Sequence, residues 1–113
     1  MIENILVFYG ENEYEIENNI KKNQFDYEIK EIGDSADFAD LINLLNTPAL
    51  FNNLSLYVIR SENILNDNKN LPLLEKYLNN PSNFARAIIA VNKKIDSRKK
   101  TVRFFIHKKW IIP

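Results

Sequence analysis

The sequence predicts a three-layer α/β domain, with a five-stranded parallel sheet between helices on both faces. Short continuous apolar runs recur along the chain, the pattern of strands buried on both sides. Polar segments bearing helix start and stop signals separate them. Strand and helix alternate five times, an order that right-handed crossovers lay out as a parallel sheet.

Residues 4–10 (Asn-Ile-Leu-Val-Phe-Tyr-Gly) form the first apolar run, ended by glycine. Residues 11–24 place Tyr14, Ile16 and Ile20 among acids, with Lys21 and Lys22 near the end. Acids first and bases last complement a helix dipole. Residues 25–32 alternate Phe25, Tyr27 and Ile29 against Asp26, Glu28 and Lys30, as an edge or half-buried strand would. Gly33-Asp34-Ser35 reads as a turn, with Asp34 or Ser35 capping a helix that carries Phe38, Leu41, Ile42, Leu44 and Leu45. Pro48 stops that helix.

Residues 54–59 (Leu-Ser-Leu-Tyr-Val-Ile) are the third strand, and residues 63–70 read as an Asn-rich loop. A helix over 71–78 carries Pro72 in its first turn, where a missing N–H costs nothing. Beyond Pro81, Ala85–Val91 is a fourth buried strand. Asp96 or Ser97 caps a basic helix through about His107, and Trp110-Ile111-Ile112-Pro113 opens a fifth strand. There is no internal repeat or linker, so residues 1–113 read as one domain. A chain that stops as a strand finishes points to a domain cut from something longer.

Composition narrows the function. The 113 residues are 45% hydrophobic, with 15 basic and 15 acidic side chains and no cysteine. That excludes a disulfide scaffold and a thiolate metal site, and it argues against disorder. No apolar run approaches the roughly 20 residues of a membrane helix, and residues 5–9 are too short for a signal-peptide core. A cytoplasmic domain with no membrane contact is expected. The zero net charge conceals a split. Residues 1–40 hold eleven acids and three bases, a net of −8, and residues 41–113 hold twelve bases and four acids, a net of +8. The segment 93–109 is densest in bases, with Lys93, Lys94, Arg98, Lys99 and Lys100 ahead of Arg103, Lys108 and Lys109. It is either a nucleic-acid contact or a solvated face balanced by the acidic half.

Ligands of open parallel sheets bind beyond the carboxyl ends of the strands. The first such loop begins Gly10-Glu11-Asn12-Glu13, and Glu15, Ile16 and Glu17 stand where a phosphate-binding loop needs Gly, Lys and Ser or Thr. Four acids there repel a triphosphate from the helix end that ordinarily attracts one. Glu11 and Glu13 offer magnesium ligands, but that chemistry needs further carboxylates after a later strand, and Ile59-Arg60-Ser61-Glu62 supplies one. His107 is the single histidine, so no triad can be assembled. No catalytic, cofactor or metal site is expected. The segment Asn46-Thr47-Pro48-Ala49-Leu50-Phe51-Asn52-Asn53 is different: Leu50 and Phe51 stand in a loop bounded by proline and asparagines. They either enter a partner's pocket or fold back under the third strand.

Phe8-Tyr9-Gly10-Glu11-Asn12-Glu13-Tyr14 resembles the opening of the bacterial DNA polymerase III delta subunit, the clamp-loader subunit that engages the sliding clamp. Leu44-Leu45-Asn46-Thr47-Pro48-Ala49-Leu50-Phe51 is similar to that family's clamp-binding segment, and residues 54–61 to the strand after it. Residues 73–81 resemble its third helix and proline stop, and Ile95-Asp96-Ser97-Arg98-Lys99-Lys100 its (Leu/Ile)-Asp-x-Arg-Lys-Lys stretch. The likeness runs in order over about residues 6–112. It implies an N-terminal AAA+-like, P-loop NTPase-like domain with a RecA-type sheet, a degenerate P-loop and no ATP hydrolysis. It further implies that Leu50 and Phe51 enter a pocket on the sliding clamp (beta subunit), with Thr47, Pro48 and Ala49 shaping the loop. Partners then include the other clamp-loader subunits, with DNA reached through the assembly. The family's lid and collar domains have no counterpart in these residues.

Overall fold

The computed structural model describes residues 4–33, 37–47, 54–61, 63–66 and 69–112. Four parallel strands make the body of the sheet: β1 (Ile5–Tyr9), β2 (Glu28–Ile32), β3 (Ser55–Ile59) and β4 (Ala85–Val91). A two-residue pairing, β5 (Ile111–Ile112), extends it beside β1, giving the order β2-β3-β4-β1-β5. Between them lie α1 (Glu13–Lys22), α2 (Phe38–Leu45), α3 (Asn63–Asn66), α4 (Asn70–Asn79) and α5 (Lys100–Lys108).

The order dictates the layers. Only the β1–β2 connection runs toward the β2 edge; every later one runs the other way. With right-handed crossovers, α1 must therefore cover one face by itself. Ile16 and Ile20 of α1 do so, closing over Leu6, Phe8, Leu56, Val58, Ile88 and Ala90. The opposite face is larger. Phe38, Leu41 and Leu45 of α2, Leu74 and Tyr77 of α4, and Val102 and Phe105 of α5 pack there on Val7, Ile59, Ala87 and Ile89. Trp110 touches both clusters at the β5 end of the sheet.

Several boundaries differ from the sequence reading, each for a physical reason. The alternation over 25–32 yields a strand only from Glu28, because Phe25 takes a left-handed backbone (φ 48°) in the turn that follows α1. Its side chain is 64% exposed. The cap of α2 is Asp37: its Oδ1 accepts from the Asp40 N–H at 2.9 Å, and Asp40 Oδ2 accepts from the Asp37 N–H at 3.2 Å. The expected caps Asp34 and Ser35 lie outside the described residues. The Asn-rich stretch contains α3, joined to α4 by a buried bond from Asn70 Nδ2 to the Ile64 carbonyl (2.9 Å). Asp96 does not cap α5, which begins at Lys100 behind Lys99 without a side-chain cap. Asp96 is instead held by Arg98, whose N–H and Nε donate to Oδ1 at 2.9 and 3.0 Å.

Candidate functional site

Two edges of the sheet concern function. At the carboxyl edge, β1 and β4 lie side by side and their following helices depart to opposite faces, which makes the crevice between them the usual ligand site. Gly10 turns out of β1 with φ 146°, and its N–H bonds the Val91 carbonyl at 3.1 Å. Asn12 caps α1 by accepting from the Glu15 N–H (3.3 Å). Glu13, Ile16, Arg60, Ala90 and Asn92 line a cleft of about 130 Å³ there, well under the roughly 300 Å³ at which small-molecule pockets begin.

The Arg60 guanidinium at this edge is already engaged. It donates to Glu31 through Nε (3.2 Å) and a terminal nitrogen (3.1 Å), and it forms an ion pair with Glu17. The Glu31 carboxylate, then Glu17, hold it above its already high range. These three side chains pin β3 to β2 and α1. The one guanidinium between two carboxylates leaves a net negative charge, and Glu13 adds another to the cleft wall, so the crevice is poorly suited to a phosphate.

The basic residues sit at the same edge, on the β4–α5 connection. Lys93, Lys94, Arg98 and Lys100 are exposed and Lys99 is half-buried. Four of the five thus lie on one connection, and Lys100 opens α5. Arg98 spends its charge on Asp96, whose carboxyl it holds below the usual carboxylate range by side-chain and then backbone hydrogen bonds. His107 is exposed in the last turn of α5, whereas Phe105 in the same helix is fully buried.

The amino edge is where α2 ends and β3 begins. Thr47 closes the helix: its hydroxyl donates to the Asn43 carbonyl (2.7 Å) and its N–H to Leu44 (3.1 Å). Across the gap, the Leu54 carbonyl accepts from the Glu28 N–H (2.8 Å), tying the start of β3 to the start of β2. Pro48, Ala49, Leu50 and Phe51, the residues expected to meet a partner, lie outside the described residues; Thr47 alone of that set is described.

One side chain at this edge escaped the sequence reading. Arg86 is buried (4% exposed) within β4. It donates to the Asn23 carbonyl at 3.1 Å and lies 5.6 Å from the centre of the Tyr27 ring. The signal was available, because Arg86 is the one charge in the apolar run Ala-Arg-Ala-Ile-Ile-Ala-Val. Its guanidinium links β4 to the turn between α1 and β2.

The family model of the DNA polymerase III delta subunit matches residues 6–112, nearly the whole chain. This chain belongs to the DNA polymerase III delta subunit family. Among solved structures, the Bacillus subtilis DNA clamp loader delta protein superposes with a TM-score of 0.74 at 15% sequence identity. That likeness covers 98% of this chain and 38% of the Bacillus chain, and at this identity it shows a shared fold. No curated protein matches the sequence. No described helix is long and apolar enough to cross a membrane.

Proposed function

We propose that this domain acts without catalysis in replication, binding the sliding clamp through Leu50 and Phe51 and helping to hold it open for loading onto DNA. The observation that carries the reading is membership of the delta subunit family. Further support comes from the two ends of the loop: Thr47 is fixed by two hydrogen bonds and Leu54 by the β2–β3 pairing. A loop with anchored ends presents its side chains at lower entropic cost. Each apolar side chain inserted in a pocket contributes roughly 1.5–3 kcal/mol. A partner that binds the open clamp better than the closed one shifts the population by that difference.

We also read the domain as AAA+-like with a P-loop that no longer binds nucleotide. Supporting this are the β2-β3-β4-β1-β5 order, the small crevice and an α1 whose first turn carries Glu13 and Glu15. The remaining clamp-loader subunits and a cytoplasmic location belong to the same proposal.

Titration calorimetry of the domain against the sliding clamp of the same organism, beside a Leu50→Ala/Phe51→Ala variant, tests the reading. Binding that disappears in a variant of unchanged melting temperature is the expected result. Equal binding by both proteins would move the contact elsewhere, and no binding by the folded domain would overturn the proposal.

A second reading rests on the exposed bases of the β4–α5 connection. It makes Lys93, Lys94, Arg98, Lys99 and Lys100 a phosphate-backbone contact. Its mark is a DNA affinity that falls steeply with salt and ignores Leu50 and Phe51. Thr47 and Leu54, which bracket the segment of Leu50 and Phe51, lie at the amino ends of the strands, whereas the β4–α5 connection follows the carboxyl end of β4.

A further inference from the structure

The Arg60 guanidinium holds two carboxylates in a geometry that exposed ion pairs seldom reach. Toward Glu31, its Nε donates to Oε2 at 3.2 Å and a terminal nitrogen donates to Oε1 at 3.1 Å. Toward Glu17, that same terminal nitrogen donates to Oε2 at 3.3 Å, and the second terminal nitrogen donates to Oε1. Each carboxylate is thus held in a fork, and all four of their oxygens converge on one cation. Isolated surface pairs contribute little, but forked pairs that share a charge are the exception.

The three side chains come from three elements that gather at the carboxyl edge. Glu17 is on α1, Glu31 is on β2, and Arg60 directly follows β3. Arg60 also lines the cleft there, beside Glu13 and Asn92. Glu17 stands where a working phosphate loop carries the Ser or Thr whose hydroxyl takes magnesium. Such sites complete the hold on the metal with a carboxylate from another segment. In this chain the charges are exchanged. The helix side supplies a carboxylate, and the residue after a strand supplies the cation. Oxygens converging from separate elements are what a hard divalent cation requires, and a guanidinium is seated among them.

We propose that Arg60 is a built-in cation, seated between Glu17 and Glu31 in place of a divalent metal and closing the crevice without any ligand. The proposal deepens the reading of a P-loop that no longer binds nucleotide, and it rests on that reading. A tethered cation acts at an effective concentration in the millimolar range or above, so free magnesium at cellular levels does not displace it. The consequence is conformational. A site that waits for a nucleotide and its metal has two states; here α1, β2 and the end of β3 are clamped in one.

Thermal melts test the proposal on the wild-type domain, Arg60→Ala, Arg60→Gln and Arg60→Ala/Glu17→Gln/Glu31→Gln. Each protein is melted in magnesium chloride at about 10 mM and in sodium chloride of equal ionic strength, which separates binding from screening. The Arg60 side chain is 40% exposed, so its loss opens no cavity and both single variants are expected to fold. Wild type is expected to melt alike in the two salts. The two single variants should melt lower than wild type in sodium and regain roughly 2–5 °C in magnesium, which binds the folded form alone. The triple variant, lacking both carboxylates, should show no such gain. Single variants that respond equally to the two salts would overturn the proposal and leave an ordinary ion pair. A gain specific to magnesium in wild type would overturn it as well, because Arg60 would not be filling the site. Calorimetry of the wild-type domain with magnesium-ATP examines the underlying reading separately. Nucleotide binding there would overturn both, whereas its absence beside single variants blind to magnesium removes the Arg60 proposal alone.

Discussion

Replacing Asp37 by alanine removes the half of the capping box that its own side chain makes at the start of α2. The Asp40 N–H loses its acceptor at 2.9 Å, while the residue 37 N–H keeps Asp40 Oδ2 as its acceptor. Caps of this kind contribute about 1 kcal/mol, within a range of roughly 0.5–2. Loss of an acid from the positive end of the helix adds about 0.3–1 kcal/mol. The helix itself should persist. It has eight residues, too few to stand alone in water, and is held by Phe38, Leu41 and Leu45, all fully buried. The expected loss is thus about 1–2 kcal/mol, confined to the cap. Urea unfolding followed by far-UV circular dichroism reads it as a lower midpoint at unchanged m-value, since the surface exposed on unfolding is the same. Asp37→Asn keeps the acceptor oxygen and should lose only a few tenths of a kcal/mol. If alanine and asparagine cost the same, or alanine costs nothing, the capping box is not what starts this helix.

Two further outcomes follow from the backbone and the charges. Gly10→Ala should destabilise by roughly 1–2 kcal/mol through conformation alone, because φ is 146° there and an added Cβ meets no atom within 4 Å. Gly33, with equal space and no such φ, should accept alanine at no cost; thermal melts of the two variants separate the explanations, and equal melting temperatures would remove the backbone argument. The Asp96 carboxyl is held below its ordinary range by Arg98, so its contribution is present above the unfolded carboxyl pKa and is lost as pH falls through the lower folded value. Denaturation measured across acid pH should therefore show a small loss in wild type that Asp96→Asn does not show, and identical profiles would mean the pair contributes nothing at this exposed position.

Much of the fold was legible because buried parallel strands leave long apolar runs. Ala85–Val91 matches its run residue for residue, and all seven positions are buried. The layer count followed from alternation alone. Period-two alternation misled at Phe25, because it records which side chains share a face and not whether that face is covered. Asp96 misled for a different reason. An aspartate two residues before an arginine has a competing partner, and here the arginine takes it. The short helix at 63–66 was hidden by asparagines, which read as turn residues until the Asn70 amide closes the corner. At the candidate site, Leu50 and Phe51 stood out as apolar residues in a loop bounded by proline and asparagines, and Arg86 as the one charge in an apolar run, whereas the Glu17–Arg60–Glu31 group joins side chains far apart in sequence and no local pattern announces it.

The position of β1 has a consequence for how the domain comes into being. Among the described strands it comes first in the chain, yet both its neighbours come from residues 85–112: Val7 pairs with Ile89 on one side and Ile111 on the other. While a ribosome is still producing residues 28–59, β2 and β3 can already find each other, but Ile5–Tyr9 has no edge to join. Its five apolar residues must wait until residues 85–112 have been made. Such long-range closure slows folding and prolongs the exposure of a sticky segment. The acids that crowd the stretch just after β1 then serve the nascent chain as well as the finished one, keeping an unpaired apolar strand soluble until its partners emerge.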